Sequence, residues 1–250
     1  MVVAEPQAIL VMLLAVLILG LSKGGFSGIG MISTPLLSLA VPPAVAAGIL
    51  LPVLIFQDAV GVWFYRRTFD RENLRLMLPA AVLGVLFGAA MVSSVERAVF
   101  EVSLGGISVL FGVERLFHYF GGRPRPRRSG PVVGLLCGAL SGFTSMIAHA
   151  GMPPFQFYVL PQRLPRDVFV GTSVMFYAVV NVVKLPFFLA IGQVTAGTAL
   201  ISAALVPLAF LSVSLGIWLV RRISGDGYIL VANVILIGVG LLLLGRGLAG

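Results

Sequence analysis

Four ionisable side chains lie within long apolar stretches of this chain: Lys23, Asp58, His149 and Lys184. A charged group costs several kcal/mol in hydrocarbon, so such residues are kept where they face a partner or a wet cavity. A buried lysine can neutralise an anion, and a histidine can exchange a proton near pH 7. These residues therefore predict a polar site that binds a small anion, and His149 is a candidate for proton exchange at this site.

Each of these residues also has a structural interpretation. Lys23 could extend its ammonium group to the membrane surface, and His149 could cap a backbone carbonyl. Lys184 could bond the carbonyl groups at a helix C-terminus. Asp58 and Lys184 occupy corresponding spans, and an inverted arrangement would place them on opposite sides of the midplane, so a direct ion pair between them is not expected.

Neutral polar residues accompany the charged ones. Gln57 precedes Asp58, Asn181 lies close to Lys184, and Gln156 follows a pair of prolines. We predict that these five residues couple or gate the site. Gln57 and Asn181 could supply neutral hydrogen bonds to the charged residues, and for Gln156 hydrogen bonding between helices is the favoured alternative.

Two segments rich in glycine and proline surround the ionisable residues, at 21–35 and 141–154. Glycine adopts conformations that a helix forbids, and proline removes a backbone donor, so both segments are predicted to interrupt a helix. Non-helical backbone at this depth survives only where protein or a wet cavity surrounds it.

An interrupted helix leaves half-helix ends near the midplane, and an N-terminal end attracts anions through its free N–H groups. Ser27, Thr144 and Ser145 add hydroxyl donors. Isolated glycines would indicate only close helix packing, but clusters with prolines in two matching places favour a site. The predicted substrate-binding residues are Lys23, Gly24, Gly25, Ser27, Gly28, Gly30, Gly142, Thr144, Ser145, His149 and Gly151.

The composition indicates an all-α polytopic membrane protein. Of the 250 residues, 59% are hydrophobic and only 10% charged, whereas a soluble domain has about 25% charged residues. Apolar stretches of about 20 residues, long enough to cross a bilayer, recur along the chain. The net charge of +8 comes from basic residues in short loops, which is typical of membrane proteins and does not indicate nucleic-acid binding.

The ionisable residues do not form an enzyme motif. The two histidines, His118 and His149, lie far apart in the sequence, and no metal-binding or nucleotide-binding pattern occurs. We therefore predict no catalytic residue, metal or cofactor.

Small and polar residues recur in the same order in the two halves of the chain, which indicates an internal repeat. The matched pairs are Gly25 with Gly142, Gly48 with Gly171, Asp58 with Asn181, Gly84 with Ser212 and Gly88 with Gly216, at offsets that rise from 117 to 128.

Each repeat is predicted to contain one interrupted segment followed by three ordinary spans. The repeats cover 1–120 and 131–250, with a basic cytoplasmic linker at 121–130. The interrupted segments are 6–42 and 131–160, and the ordinary spans are 44–65, 74–93, 99–120, 168–190, 198–219 and 228–247.

The arginines indicate whether the interrupted segments cross the membrane or enter it and return. If both cross, the arginines divide 10 against 5. If both return, Arg97 and Arg246 lie on one side and 13 lie on the other, namely Arg66, Arg67, Arg71, Arg75, Arg115, Arg123, Arg125, Arg127, Arg128, Arg163, Arg166, Arg221 and Arg222. Basic residues concentrate on the cytoplasmic side, so the re-entrant arrangement is favoured. It makes the repeats inverted copies, as in many secondary transporters, with both termini outside.

Three parts of the sequence are specific enough to compare with known families: Gly142–Pro154, Gly171-Thr-Ser and Asn181–Pro186. They resemble the TauE/SafE family of sulfite and organosulfonate exporters, and the resemblance extends over nearly the whole chain. It implies a bacterial inner-membrane permease that moves sulfite, sulfoacetate or a related anion, mostly outward. The chain departs from the family pattern at Met31, Ile32 and Met152, where further glycines are common. These departures concern the substrate more than the fold.

The sequence thus predicts a secondary transporter that carries a small oxyanion by alternating access around a midplane site. The alternatives are an anion channel and, less favoured, an intramembrane enzyme or a lipid-facing scaffold. The expected partners are a small inorganic or organosulfonate anion and membrane lipid. Protons are a candidate coupling ion, and a homodimer stays open.

Overall fold

The computed structural model describes residues 5–25, 29–92, 97–121, 129–220, 222 and 227–249. These residues form α-helices and two short 3₁₀ helices, Ile29–Ile32 and Leu160–Gln162, without a β-strand among them. The α-helices are α1 (Pro6–Gly24), α2 (Ser33–Ser38), α3 (Pro43–Tyr65), α4 (Arg71–Val92), α5 (Arg97–Gly121), α6 (Pro131–Ala148), α7 (Met152–Val159), α8 (Arg166–Ala190), α9 (Ala196–Ala204), α10 (Val206–Val220) and α11 (Gly227–Ala249).

Several of these helices can cross a bilayer. Among the described residues, α1, α3, α4, α6 and α8 are long and apolar enough, and α9 with α10 forms a sixth candidate. The last pair is bent by 49°, because Pro207 has no N–H for the carbonyl of residue 203. The chain is therefore a multi-pass, all-α membrane protein, as predicted, although its 198–219 span is bent.

The first interrupted segment breaks at Gly25. α1 ends at Gly24, and Gly25 has φ 134° with its N–H directed back to the carbonyls of Leu21 and Ser22. Only glycine adopts this conformation without strain, so the sequence dictates the end of the helix. The chain resumes in the 3₁₀ helix Ile29–Ile32 and in α2. The predicted interruption is confirmed, while Phe26, Ser27 and Gly28 lie outside the described residues.

The second interrupted segment breaks at His149, which takes the left-handed conformation with φ 52°. Its N–H bonds the Ser145 carbonyl, and α7 then starts at Met152, followed by two prolines. The two breaks lie 124 residues apart, at residues 25 and 149. Gly142, which the sequence comparison paired with Gly25, lies inside α6 rather than at the break.

The helices before the breaks are longer than predicted. α1 has 19 residues and α6 has 18, which corresponds to about 28 Å and about 27 Å at 1.5 Å per residue. The hydrocarbon core is about 30 Å thick. Each break therefore follows a helix of nearly full span rather than a half-helix.

Polar contacts give the directions of the helices that surround the breaks. The contacts of α1 with α3 advance along both helices together, from Val16–Gln57 to Lys23–Asp58 and Gly24–Tyr65. Those of α6 with α8 do the same, from Ser141–Tyr177 to Ser145–Lys184. Within each pair the helices run parallel, so the chain between them returns to the side from which it started.

The most extensive helix contacts join the two halves of the chain: α4 packs on α6, α5 on α11, α1 on α10 and α3 on α8. Small residues permit these contacts. A Cβ added to Gly142 would lie 1.9 Å from the Ala81 carbonyl oxygen, and one added to Gly20 would lie 1.9 Å from Ser212 Oγ.

Candidate functional site

An ion pair with an amide partner lies at the end of α1. Lys23, in the last turn before the break, bonds Asp58 Oδ1 of α3 over 2.5 Å. Asn181 of α8 donates to the other oxygen, Asp58 Oδ2, over 2.6 Å. Asp58 is almost fully buried, whereas 12% of the Lys23 side chain is exposed. The carboxylate therefore neutralises Lys23 and joins α1, α3 and α8.

A second ammonium group lies at the end of α6 and has neutral partners. Lys184 is fully buried, and its Nζ lies 3.0 Å from the Ser145 carbonyl oxygen, 3.1 Å from Ser145 Oγ and 2.8 Å from His149 Nδ1. These three acceptors match the three N–H donors of a lysine. The bond to Ser145 is the helix C-terminal contact that the sequence offered as a structural interpretation. Within the described residues, no carboxylate forms an ion pair with Lys184.

The contacts of His149 define its tautomer. Its Nε2 lies 3.2 Å from the Ala47 carbonyl oxygen, which can only accept, so Nε2 carries the hydrogen. Nδ1 is then free to accept from Lys184. His149 is thus a neutral ring that joins α3, the end of α6 and Lys184.

A small cavity of about 50 Å³ lies between the two groups. Sites for drug-sized ligands measure about 300–1,000 Å³, so this cavity suits a small ion. Both interrupted segments and the central helices line it, through Leu19, Ser22, Lys23, Gly30, Met31, Leu54, Ser145, His149, Met152, Tyr177 and Asn181.

Comparison with known proteins agrees with the resemblance. The model of the family described as Sulfite exporter TauE/SafE matches residues 12–243. The chain belongs to the TauE/SafE family. No curated protein and no solved structure matches it. The matched range includes both breaks and every residue of the cavity, and the family is one of membrane transporters.

The cavity of this TauE/SafE protein contains five of the predicted residues: Lys23, Gly30, Ser145, His149 and Asn181. Sequence reasoning missed Ser22 and Tyr177. The centre of the Tyr177 ring lies 5.2 Å from Lys23 Nζ, and the Tyr177 hydroxyl lies 2.9 Å from Ser141 Oγ. Its position four residues before Asn181, on the same helix face, was the signal that could have identified it.

Other predicted residues of this TauE/SafE chain make packing contacts or hydrogen bonds within and between the helices around the cavity. Gly24 packs against Gly216, and Gly142 against Ala81. The Thr144 hydroxyl donates to the Leu140 carbonyl of its own helix.

The remaining predicted residues in the described part of the chain do not line the cavity either. Gln57 of α3 bonds α1 through the Val16 carbonyl and α10 through the Ser212 hydroxyl. The carbonyl of Gly151 accepts from Ser141, and Gln156 is buried on α7.

Helix N-termini reach the cavity with fewer donors than predicted. Gly30 and Met31, in the first 3₁₀ helix, and Met152, the first residue of α7, line it. Pro153 and Pro154 follow Met152 and carry no N–H. Of the first four residues of α7, only two can therefore donate to an anion.

A larger hollow of about 420 Å³ lies along α5, lined by Val113, Leu116, Phe117, Phe120 and Gly121. These residues carry no ionisable or hydroxyl group, so the hollow suits acyl chains rather than an anion. Among the described residues, no group of His, Cys, Asp or Glu side chains could hold a metal ion.

Proposed function

We propose that this protein is a secondary transporter that exports a small oxyanion, such as sulfite or an organosulfonate, across the bacterial inner membrane. The observation that carries the proposal is the cavity between the interrupted segments. Lys23 lines this cavity, and Asp58 and the fully buried Lys184 bond residues that line it. Family membership supports a sulfite exporter-type transporter.

The donors around the cavity suit an oxyanion. Within the described residues, the Lys23 ammonium group bonds only Asp58, so two of its N–H groups are free for a ligand. Ser22 and Ser145 add hydroxyls to the same cavity. Charge-assisted hydrogen bonds from such groups are the strong ones for oxyanions. The small volume favours a compact head group such as SO₃ over a bulky anion.

We propose further that two inverted repeats alternate access around this cavity. Three observations support inversion. Corresponding helices run antiparallel, since Gly105 of α5 contacts Gly240 of α11 whereas Gly247 contacts Ala98. The second observation is a symmetric pair of glycine contacts. Gly48 of α3 packs on the carbonyl of Gln193, three residues after α8. Its counterpart, Gly171 of α8, packs on the carbonyl of Thr68, three residues after α3.

The third observation is the hydrogen bond between Asp58 and Asn181, which occupy matching positions in the two repeats. Matching residues touch each other only close to a two-fold axis. The parallel pairs α1–α3 and α6–α8 support interrupted segments that return to their starting side. The 13 arginines then share one side, which we assign to the cytoplasm.

The decisive experiment is flux in liposomes that contain the purified protein. Radiolabelled sulfite uptake is measured against competing sulfoacetate, sulfate and chloride. A carrier gives saturable uptake and is accelerated by sulfite on the opposite side, whereas a channel shows no such counterflow. Absence of flux for every sulfur oxyanion, with protein correctly inserted, refutes the proposal. Homodimer formation stays a prediction.

A further inference from the structure

We infer that the cavity carries one net positive charge and therefore accepts a monovalent oxyanion as it is, but a divalent oxyanion only together with one proton, which binds Asp58. This inference rests on the proposed function and deepens it, because it names the charge class of the substrate.

The net charge follows from the residues of the two polar groups. Lys23 counts as positive because it pairs with a carboxylate, and we assign Lys184 the same charge because its Nζ faces three hydrogen-bonding partners. Asp58 supplies one negative charge, and His149 is neutral in the tautomer that its contacts favour. Tyr177 is an uncharged phenol. One positive charge is left over, and it is fully buried. An unpaired charge in a desolvated site is costly, so the bound state that neutralises it is a monoanion.

A dianion would reverse the imbalance. It would leave one negative charge in the cavity and would lie next to the Asp58 carboxylate, and like charges at such distances oppose each other strongly in a low dielectric. One added proton restores neutrality. The candidate acceptors among the described residues are Asp58 and His149.

The hydrogen bonds favour Asp58 as the proton acceptor. His149 donates its Nε2–H to the Ala47 carbonyl and accepts a hydrogen bond from Lys184 at Nδ1. A further proton on Nδ1 would break the bond to Lys184 and place two cations side by side. Protonated Asp58 keeps its bond to Asn181, because an amide can turn from its donor to its acceptor face. The same proton frees Lys23 to direct all three of its donors at the dianion.

The charged groups around Asp58 come from several helices. Lys23 lies on α1, Tyr177 and Lys184 lie on α8, and His149 follows α6. α5 also touches α3 and carries Glu114 among its described side chains. α2, α9 and α10 pack on α3 without a charged side chain at their described positions.

The test compares two anions of similar shape and different charge, methanesulfonate and sulfate, in liposomes that contain the whole protein and a trapped pH indicator. We expect methanesulfonate flux to be independent of pH and to carry no proton. Sulfate flux should carry one proton per anion and rise by about tenfold per unit of decreasing pH, as a single proton linkage requires.

Asp58→Asn should make sulfate flux independent of pH and proton-free. His149→Gln should keep the pH dependence. Asp167→Asn is the matched control, since it removes an exposed carboxylate at the start of α8 and should change neither anion.

Three outcomes separate the inference from the proposed function. If sulfate flux equals methanesulfonate flux and carries no proton, the inference is wrong, but the proposed transport function is not affected. A pH dependence that survives Asp58→Asn and disappears in His149→Gln overturns the assignment to Asp58. If the protein transports neither sulfite nor sulfate nor methanesulfonate, the proposed function itself is refuted.

If Asp58→Asn does not reach the membrane, calorimetry of the wild-type protein provides a second measurement. Sulfate binding in two buffers of different ionisation enthalpy gives the number of protons taken up with each anion. A value of zero overturns the inference.

Discussion

Removal of the Lys23 ammonium group should harm both the stability and the transport of this protein. In Lys23→Ala, Asp58 becomes a carboxylate that is 98% buried, given its 2% exposure, and it keeps only the Asn181 bond. Breaking a buried ion pair from one side costs about 3–5 kcal/mol. Since 12% of Lys23 is exposed, solvent reaches the pair and reduces the cost, so we expect about 2–3 kcal/mol.

A second substitution isolates the cause. In Lys23→Ala/Asp58→Asn the uncompensated carboxylate is absent, so the double variant should lose less stability than the sum of the losses of Lys23→Ala and Asp58→Asn. We expect a coupling of about 1–2 kcal/mol, which is typical of contacting residues. Thermal unfolding in detergent measures the stabilities, and liposome flux measures transport. Lys23→Ala should insert into the membrane and carry less than a tenth of the wild-type sulfite flux.

The reasoning would be refuted if the stability losses of Lys23→Ala and Asp58→Asn simply added up in the double variant. If the two substitutions destabilise independently, the pair does not stabilise the fold. If Lys23→Ala keeps the wild-type concentration dependence of sulfite flux, Lys23 does not belong to the site.

Further predictions concern the second ammonium group, helix packing and topology. Lys184→Met should weaken anion binding, because it removes a positive charge that bonds two residues of the cavity. A unit charge at a separation of about 6 Å contributes about 3 kcal/mol, or about 100-fold in affinity, at an effective dielectric constant of about 20; equal affinities by calorimetry would contradict this. Gly142→Ala should destabilise the protein by about 1–3 kcal/mol through overlap with Ala81, whereas Gly106→Ala, which has open space, should not lower the melting temperature. Cysteines placed near residues 70 and 163 should react with an impermeant thiol reagent from the cytoplasmic side, and labelling from opposite sides would reject the returning segments.

The outcome at the two breaks illustrates what a sequence can locate. Gly25 has a backbone conformation that only glycine adopts easily, so its position in the chain predicts the interruption directly. His149 ends α6 in a left-handed conformation that its residue type does not demand. The repeat match paired Gly25 with Gly142, because each of these glycines begins a Gly-Phe-hydroxyl triplet. Gly142 serves helix packing, a role that depends on Ala81 and cannot be read from its neighbours in the sequence.

The sequence by itself determined the membrane environment, the helical class and the two interruptions. These properties follow from the length of apolar stretches and from the backbone restrictions of glycine and proline, which act within a few residues. Only the tertiary structure decided that Asp58 neutralises Lys23, that Lys184 bonds the end of α6, and that Tyr177 completes the cavity. These contacts join residues 35 to 123 positions apart, and they depend on how α1, α3, α6 and α8 pack. The balance of charge in the site is therefore a property of the assembled helices.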